Sequence, residues 1–450
     1  MYAASLSLRT FNESGLQRMP TEADDRIGWV KRGASAASSM RLLFLTNFYP
    51  PLDRGGWEQW CQEVASALCL RGHEVSVLTS DYLAKTIRGA EANIDRSLSL
   101  ESDLVNYDPL SFFLSWRRND RSNRRRLKRA ILDARPDAVV IWGMWQLNPQ
   151  LALLAEDLMP DRVAHYLCGY WPIEQSVHAQ YWTTPANRRW ARPAKKALSR
   201  LAMRLASHKT AGPRGLNHAA AVSRAVIDIV RAGGVELPNA RVIYGGIQLE
   251  RFHRQRTELQ TGRPLRLLYA GSVSQAKGVH IAFEAIAGLD SRLGASDLHL
   301  TVVGSGHPQF ESDLRRFVKD KALESCITFC DRISNARMHE ILGDYDVLLF
   351  PSIWQEPLAR MMMEAMAAGL VVVSTTTGGS REVLEHGVNA LTFAAGDAKD
   401  LGRQIESLLA QPGLMHRLAL GAQKTARERF DFKRMVDEIE AFVREVAGRN

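Results

Sequence analysis

No run of 18 apolar residues occurs in this 450-residue sequence, so no segment is built to cross a bilayer as a helix. The first residues lack an unbroken apolar stretch, which argues against a secretory leader. Cysteine is scarce: there are five, at 61, 69, 168, 326 and 330, an odd number with no C-x-x-C pair. That argues against a disulfide framework and a cysteine zinc site, and it fits a reducing, cytoplasmic compartment. Nothing in the composition resembles collagen, a coiled coil or a wholly disordered chain.

What is present is ordinary for a globular protein: 46% of residues are hydrophobic and 24% charged. At about 100–200 residues per domain, the length predicts two domains. Net charge is +9, and the base is concentrated. Residues 116–130, WRRNDRSNRRRLKRA, hold eight Arg/Lys and one Asp, and residues 188–209 hold eight Arg/Lys and no acid. Such runs are either solvated helix faces or sites for phosphates, nucleic acid or an anionic lipid surface. No nucleic-acid recognition motif accompanies them, so nucleic acid is not an expected partner.

Residues 1–39 are polar, rich in small side chains and without period, and we expect a disordered extension or an upstream start codon. From residue 41, RLLFLTNFYPP reads as a buried strand and a Pro-rich loop. A Gly55–Gly56 turn, an amphipathic helix, the stop Gly72 and the strand 74–79 follow. This is a βαβ unit with the glycines at the carboxyl end of its first strand. Further strands are expected at 138–142, 163–167 and 218–223, and the half ends near RVIYGGI, 241–247. Residues 248–264 form the expected linker. The scheme then repeats from LRLLYAG, 265–271, with strands at 298–306, 326–331, 346–352 and 370–375. Apolar, β-branched strands alternating with helices mean parallel sheets covered on both faces. The expectation is an α/β protein of two doubly wound, Rossmann-like domains, 40–247 and 265–428, facing across a cleft that holds the ligand. A final helix within 429–450, apolar along one face, packs back on the body.

The stretch QEPLARMMMEAMAAG, 355–369, carries two carboxylates in an apolar helix. Pro357 suits a first helical position, which puts Glu356 at the helix start. Eight residues then set Glu364 about 12 Å further along and about 80° around the axis. Two acids so spaced cannot be a close catalytic pair. They are either a cap and a buried acid paired with an Arg, or the two grips on an elongated ligand. A helix N-terminus favours phosphates, so a nucleotide sugar has the right shape.

These residues resemble the E-x7-E signature of GT-B glycosyltransferases of family 4 type, whose usual pattern is close to E-P-F-G-x-x-x-x-E-A-M-A-x-G. The resemblance covers nearly all of 41–445, through NFYPPLDRGGWEQW, RGHEVSVLT, YAGSVSQAKG, VVGSG, PSIWQEP and VVVSTTTGGSREVLEHG in order. It implies a retaining transferase that uses a nucleotide-diphosphate sugar, works without a metal and makes cell-surface polysaccharide or glycolipid. Its acceptor would be a sugar or a lipid-linked molecule at the inner face of the membrane. By the resemblance, Glu356 contacts the donor sugar and Glu364 the ribose. Lys277, on the loop after the first strand of the second half, would neutralise the departing diphosphate. Leu358, Ala359, Gly55, Gly56, Ser272, Gly378 and Gly379 fall at donor-binding positions, with Ala359 where the family has Gly.

Several positions depart from the pattern. Ser272 stands where the family has an Arg, leaving Lys277 as the loop cation. Trp142, in PDAVVIWGMWQ, and Cys168–Gly169, in YLCGYWP, replace the usual His and Asp; Gly245 and Gln248 replace residues of N-G-I-D. Trp142, Trp145 and Trp171 are candidates for an acceptor pocket, since aromatic faces stack on sugars. The departures also admit a catalytically weakened GT-B protein that serves as a nucleotide-sugar-binding or partner subunit. Asp344 and Asp346, in DYD, mimic a metal-binding D-x-D but directly precede a strand, so we expect no metal there. A basic, Leu-bearing segment, 186–206, is expected to touch anionic membrane.

Overall fold

The computed structural model describes residues 39–449, except 52–54, 88–92, 103–106, 187, 189, 191, 207–211, 253–263 and 291–296. The expected N-terminal extension, apart from Ser39, and most of the expected 248–264 linker lie outside the described residues.

Two parallel sheets form the frame. The first contains β1 (Arg41–Thr46), β2 (Glu74–Ser80), β3 (Ile94–Leu98), β4 (Ala138–Gly143), β5 (Val163–Leu167), β6 (Ala219–Ala221) and β7 (Arg241–Val242), in the order β3-β2-β1-β4-β5-β6-β7. The second contains β8 (Leu265–Ala270), β9 (Leu298–Val303), β10 (Ile327–Cys330), β11 (Val347–Phe350), β12 (Val371–Thr375) and β13 (Leu391–Phe393), in the order β10-β9-β8-β11-β12-β13. The central strands are buried on both faces: β4 and β5 are buried along their whole lengths. That is why they read in sequence as unbroken apolar runs rather than alternating ones. In each sheet the order reverses beside the first strand, between β1 and β4 and between β8 and β11. Such a switch point opens a crevice beyond the strand carboxyl ends.

Three local expectations change. The strand expected at 241–247 is only Arg241–Val242, because the rest of the segment bonds elsewhere. The Gly246 carbonyl accepts from Trp60 Nε1 at 2.7 Å, and the Ile247 amide donates to the Phe430 carbonyl. β3 and β13 were not expected from the sequence. β3 is a polar edge strand and β13 has three residues, too little periodicity for either to stand out.

The two halves share packing. One apolar cluster runs from the first sheet through Met362, Met363 and Met366 and on to Phe432, Met435, Ile439 and Phe442. A second cluster covers the other face of the second sheet. The helix Phe432–Val446 begins on an Asp431 cap that accepts from the Arg434 amide. It returns to the first half, where Glu440 accepts from Arg71 Nη1 at 2.6 Å and meets His73 Nε2 at 3.1 Å. Glu440 is held well below the ordinary carboxylate range, by His73 first and then by Arg71 and Arg444, against the opposing effect of burial. None of the five cysteines forms a disulfide.

Ile439 is 1% exposed, so Ile439→Ala is expected to cost about 2–5 kcal/mol, through lost transfer energy and a cavity. Asp431→Ala removes only a cap and should cost about 1 kcal/mol. Urea denaturation of the two variants should show this ordering, and equal midpoints would contradict the helix's role in the core.

Candidate active site

The site assembles where the loops after β8 and β11 meet. The carbonyl of Ala276 accepts from the amides of Ile353 and Trp354, at 3.0 and 3.1 Å. This pins the first loop, with Lys277, against the second, with Glu356. Ser352 is buried, and its hydroxyl donates to Glu356 Oε1 at 3.0 Å. Lys277 Nζ pairs with the same oxygen and lies 5.0 Å from the centre of the Trp354 ring. Glu356 is 5% exposed; its partners are a hydroxyl and an ammonium that keep it oriented. Tyr269 lies buried nearby, and burial, then the Glu356 charge, push its phenol pKa up.

The helix does not begin where the sequence predicts. Its first residue is Arg360 and its N-cap is Ala359, so it runs Arg360–Ala367. Glu356, Pro357 and the buried Leu358 lie in the preceding loop. The carbonyls there are already engaged. Tyr170 Oη donates to Gln355 O at 2.8 Å, the Gly379 amide to Glu356 O at 2.7 Å, and Ser223 Oγ to Pro357 O at 2.6 Å. The spacing of Glu356 and Glu364 is therefore set by loop packing and not by helical rise. Gly378 makes this packing feasible. It has φ +58°, and a Cβ there would stand 2.0 Å from the Glu356 carbonyl oxygen. Its amide donates to Gln355 Oε1 at 2.8 Å.

Glu364 takes the buried-acid geometry in this arrangement. Its Oε1 accepts from Arg360 Nε at 2.8 Å, one helical turn away. Arg360 reaches across to Glu63, on the helix Gly56–Leu70 of the first half, with paired bonds of 2.7 and 2.8 Å. Burial alone would lower the Arg360 guanidinium; the facing charges of Glu63 and Glu364 outweigh it. Burial pushes the Glu364 carboxyl up against the pull of Arg360. The cavity beside it, lined by Gln248, Arg251, Phe252 and His339, is about 20 Å³, room for a water and not for a ribose. A larger cavity, about 390 Å³, lies by Ile131, Arg135 and Met159, at the opposite end of the first sheet; it has no part in this site.

The Gly55 amide is not open here. The Gly55 amide donates to Glu58 Oε2 at 2.9 Å, and a Cβ on Gly56 would stand 2.9 Å from Arg360 Cβ. They serve the close approach of the two halves. Ser272 is exposed, and its carbonyl accepts from Tyr269 Oη. The tryptophan expectation also changes. Trp142 is 1% exposed, lies against Phe44 and Tyr166 and donates to Trp57 O; Trp171 is 3% exposed. Both are core side chains, buried by the residues that flank β4 and β5. Trp145 is half-buried against Phe48. Asp346 is a structural acid that accepts from the Arg266 amide at 2.9 Å. Among the described residues no group of three or more His, Cys, Asp or Glu is placed to hold a metal.

Sequence reasoning missed Tyr170, Ser223 and Glu63, which join the halves, and gave no role to Glu382, in TTTGGSREV. Glu382 accepts from the amides of Arg224 and Ala225 at 2.9 and 2.7 Å, and from Tyr244 Oη at 3.2 Å. An acid from the second half thus caps the helix Arg224–Ala232 of the first, where the helix dipole favours it. Only the Arg360–Glu364 contact had a local signal, its i,i+4 spacing.

Residues 54–251 match the family described as Glycosyltransferase Family 4, and residues 264–411 match Glycosyl transferases group 1. The chain is 26% identical over 413 residues to the glycogen synthase of Mycobacterium tuberculosis, a match covering 88% of this chain and 92% of that protein. It is 27% identical over 224 residues to spore coat protein SA of Bacillus subtilis, covering 45% of this chain and only 59% of that protein. The structure of Anabaena HepE in complex with UDP-glucose superposes with a TM-score of 0.63 at 18% identity, covering 91% of this chain and 100% of that one. The two matched segments together span the second sheet, every strand of the first except β1, and the loops that carry Lys277 and Glu356, and on that ground the chain belongs to the GT-B glycosyltransferases, as a transferase enzyme.

Proposed function

We propose that the protein transfers a sugar from a nucleotide-diphosphate donor to an acceptor with retention of configuration, in polysaccharide or glycolipid synthesis. The observation that carries this reading is the Lys277–Glu356–Ser352 cluster at the carboxyl ends of β8 and β11. It sets a cation and an oriented carboxylate side by side at a switch-point crevice. The names of two similar proteins support it: glycogen synthase, and HepE in complex with UDP-glucose.

In this reading the donor diphosphate draws Lys277 from Glu356, and the freed carboxylate takes hydroxyls of the donor sugar. Gly378, Gly379, Leu358 and Ala359 frame the donor, and amides of the first helical turn face its phosphates. Glu364 accepts from the ribose once the halves part and Arg360 shares it. The acceptor oxygen bonds to the anomeric carbon as the carbon–phosphate-oxygen bond breaks, and a diphosphate oxygen on the same face takes the acceptor proton. Lys277 stabilises the charge left on the diphosphate, and no metal is required.

The acceptor side fits an anionic, lipid-linked environment. On the helix Arg192–Ala206, Leu198 and Leu201 are 55% and 58% exposed among Arg and Lys, and nearby in sequence Trp190 is 75% exposed. Leu110 and Leu114, on the basic helix Pro109–Ala134, are exposed as well. Exposed leucines beside lysine and arginine are suited to an interface with acidic headgroups. Among the described residues no helix is long and apolar enough to cross a membrane.

A thermal-shift screen of UDP-, GDP-, ADP- and dTDP-sugars should find a donor that raises Tm by mass action. With that donor, Glu356→Gln and Lys277→Ala are each expected to lower kcat by about 10²–10³. Undiminished transfer would overturn their roles. Binding without transfer or donor hydrolysis by the unaltered protein would favour the binding-subunit reading instead. Transfer should survive EDTA; loss restored by added Mg²⁺ would contradict a metal-free reaction. The protein should sediment with anionic vesicles at low salt and be released by high salt, and failure to sediment would remove the membrane role.

A further inference from the structure

With Trp142 and Trp171 buried, the acceptor wall expected in the first half has no open indole at those positions. A different tryptophan is open at the site. Trp354 is 40% exposed and lies two residues before Glu356. Its amide is pinned to Ala276 O, so the base of the side chain is fixed. Its ring meets the Tyr170 ring edge-on, with centroids 5.8 Å apart and an interplanar angle of 84°. Tyr170 in turn is fixed to Gln355 O. The indole therefore spans the junction of the halves beside the reacting groups. One face is covered by Lys277 Nζ at 5.0 Å.

An aromatic face that attracts an ammonium also attracts the polarised C–H groups of a sugar ring, because both present positive charge to the negative face of the ring. The loop that carries Tyr170 is itself held by the Glu174 amide, which donates to Tyr170 O at 3.0 Å. Burial, then the Glu356 charge, push the Tyr170 phenol up, so Tyr170 stays a neutral hydrogen-bond donor beside the indole.

We propose that Trp354 is the stacking platform of an acceptor subsite for a pyranose ring. This deepens the transferase reading and rests on it: the acceptor is itself a sugar, so a glycan or the sugar of a lipid-linked glycan is elongated. When Lys277 moves to the diphosphate, the indole face it covered becomes available. Donor and acceptor binding are thereby linked.

The test is saturation-transfer NMR on the full chain with methyl gluco-, galacto- and mannopyranosides, with and without UDP, GDP, ADP or dTDP. Thermal shifts with the same nucleotides are read in parallel. The expected result is saturation of the ring C–H protons of at least one pyranoside, strengthened by a nucleotide. Trp354→Ala should weaken pyranoside binding about tenfold and leave the nucleotide-induced Tm shift in place, and Trp354→Phe should restore most of the binding. The proposal is overturned if the unaltered protein saturates no pyranoside or if Trp354→Ala binds undiminished. It is also overturned if Trp354→Ala abolishes the nucleotide shift, which would make the ring only a support for Lys277. Absence of any nucleotide shift in the unaltered protein would count against the donor reading alone. Pyranoside binding lost in Trp354→Ala would support the subsite even then.

Discussion

One carbonyl oxygen, that of Ala276, receives the amides of both Ile353 and Trp354, and the geometry of the site hangs on that junction. Parallel neighbours β8 and β11 end on the same side, so their following loops emerge together. The shared carbonyl then sets their relative height. Lys277 is one residue beyond it and Glu356 is two beyond Trp354. A cation and an acid from loops some 80 positions apart in the chain thereby meet, with Ser352 fixing the acid from below. Backbone bonds set the heights of the two loops, and the Lys277, Glu356 and Ser352 side chains then bond to one another.

The joint between the halves is built differently, from buried charge. Arg360 is only 13% exposed as a side chain and faces Glu63 and Glu364. Such a group gains little net stability over an apolar replacement, yet removing one partner strands a charge at a cost of about 3–5 kcal/mol. It therefore enforces one relative placement of the halves more than it adds to folding energy. Glu382 on the helix Arg224–Ala232 and Ser223 on Pro357 add polar contacts across the same boundary. A polar joint of this kind separates at lower cost than the shared apolar cluster around Met363 and Phe442. The part of the boundary near the Glu356 loop is thus the polar part.

Much of the fold was legible. VAHYL at 163–167 coincides with β5, and AVVIW at 138–142 lies within β4, because fully buried parallel strands announce themselves as apolar runs. The short β3 and β13 did not, since three to five residues carry no period. Lys277 and Glu356 stood out through their motifs. The helix start did not follow the local rule for Pro357, because the carbonyls of residues 355–357 had been taken by Tyr170, Gly379 and Ser223. Two of those partners come from the other half of the chain, and no local pattern could announce them.

The sequence by itself determined the succession of strands and helices, the parallel sheets and the two loops that bear charge. Each follows from backbone geometry acting over a few residues. Only the tertiary structure decided that Glu364 answers to Arg360 and Glu63, that Trp142 and Trp171 belong to the core, and that Trp354 faces outward. Burial and ion pairing are properties of the neighbourhood a side chain enters, and that neighbourhood is assembled from segments more than a hundred residues apart.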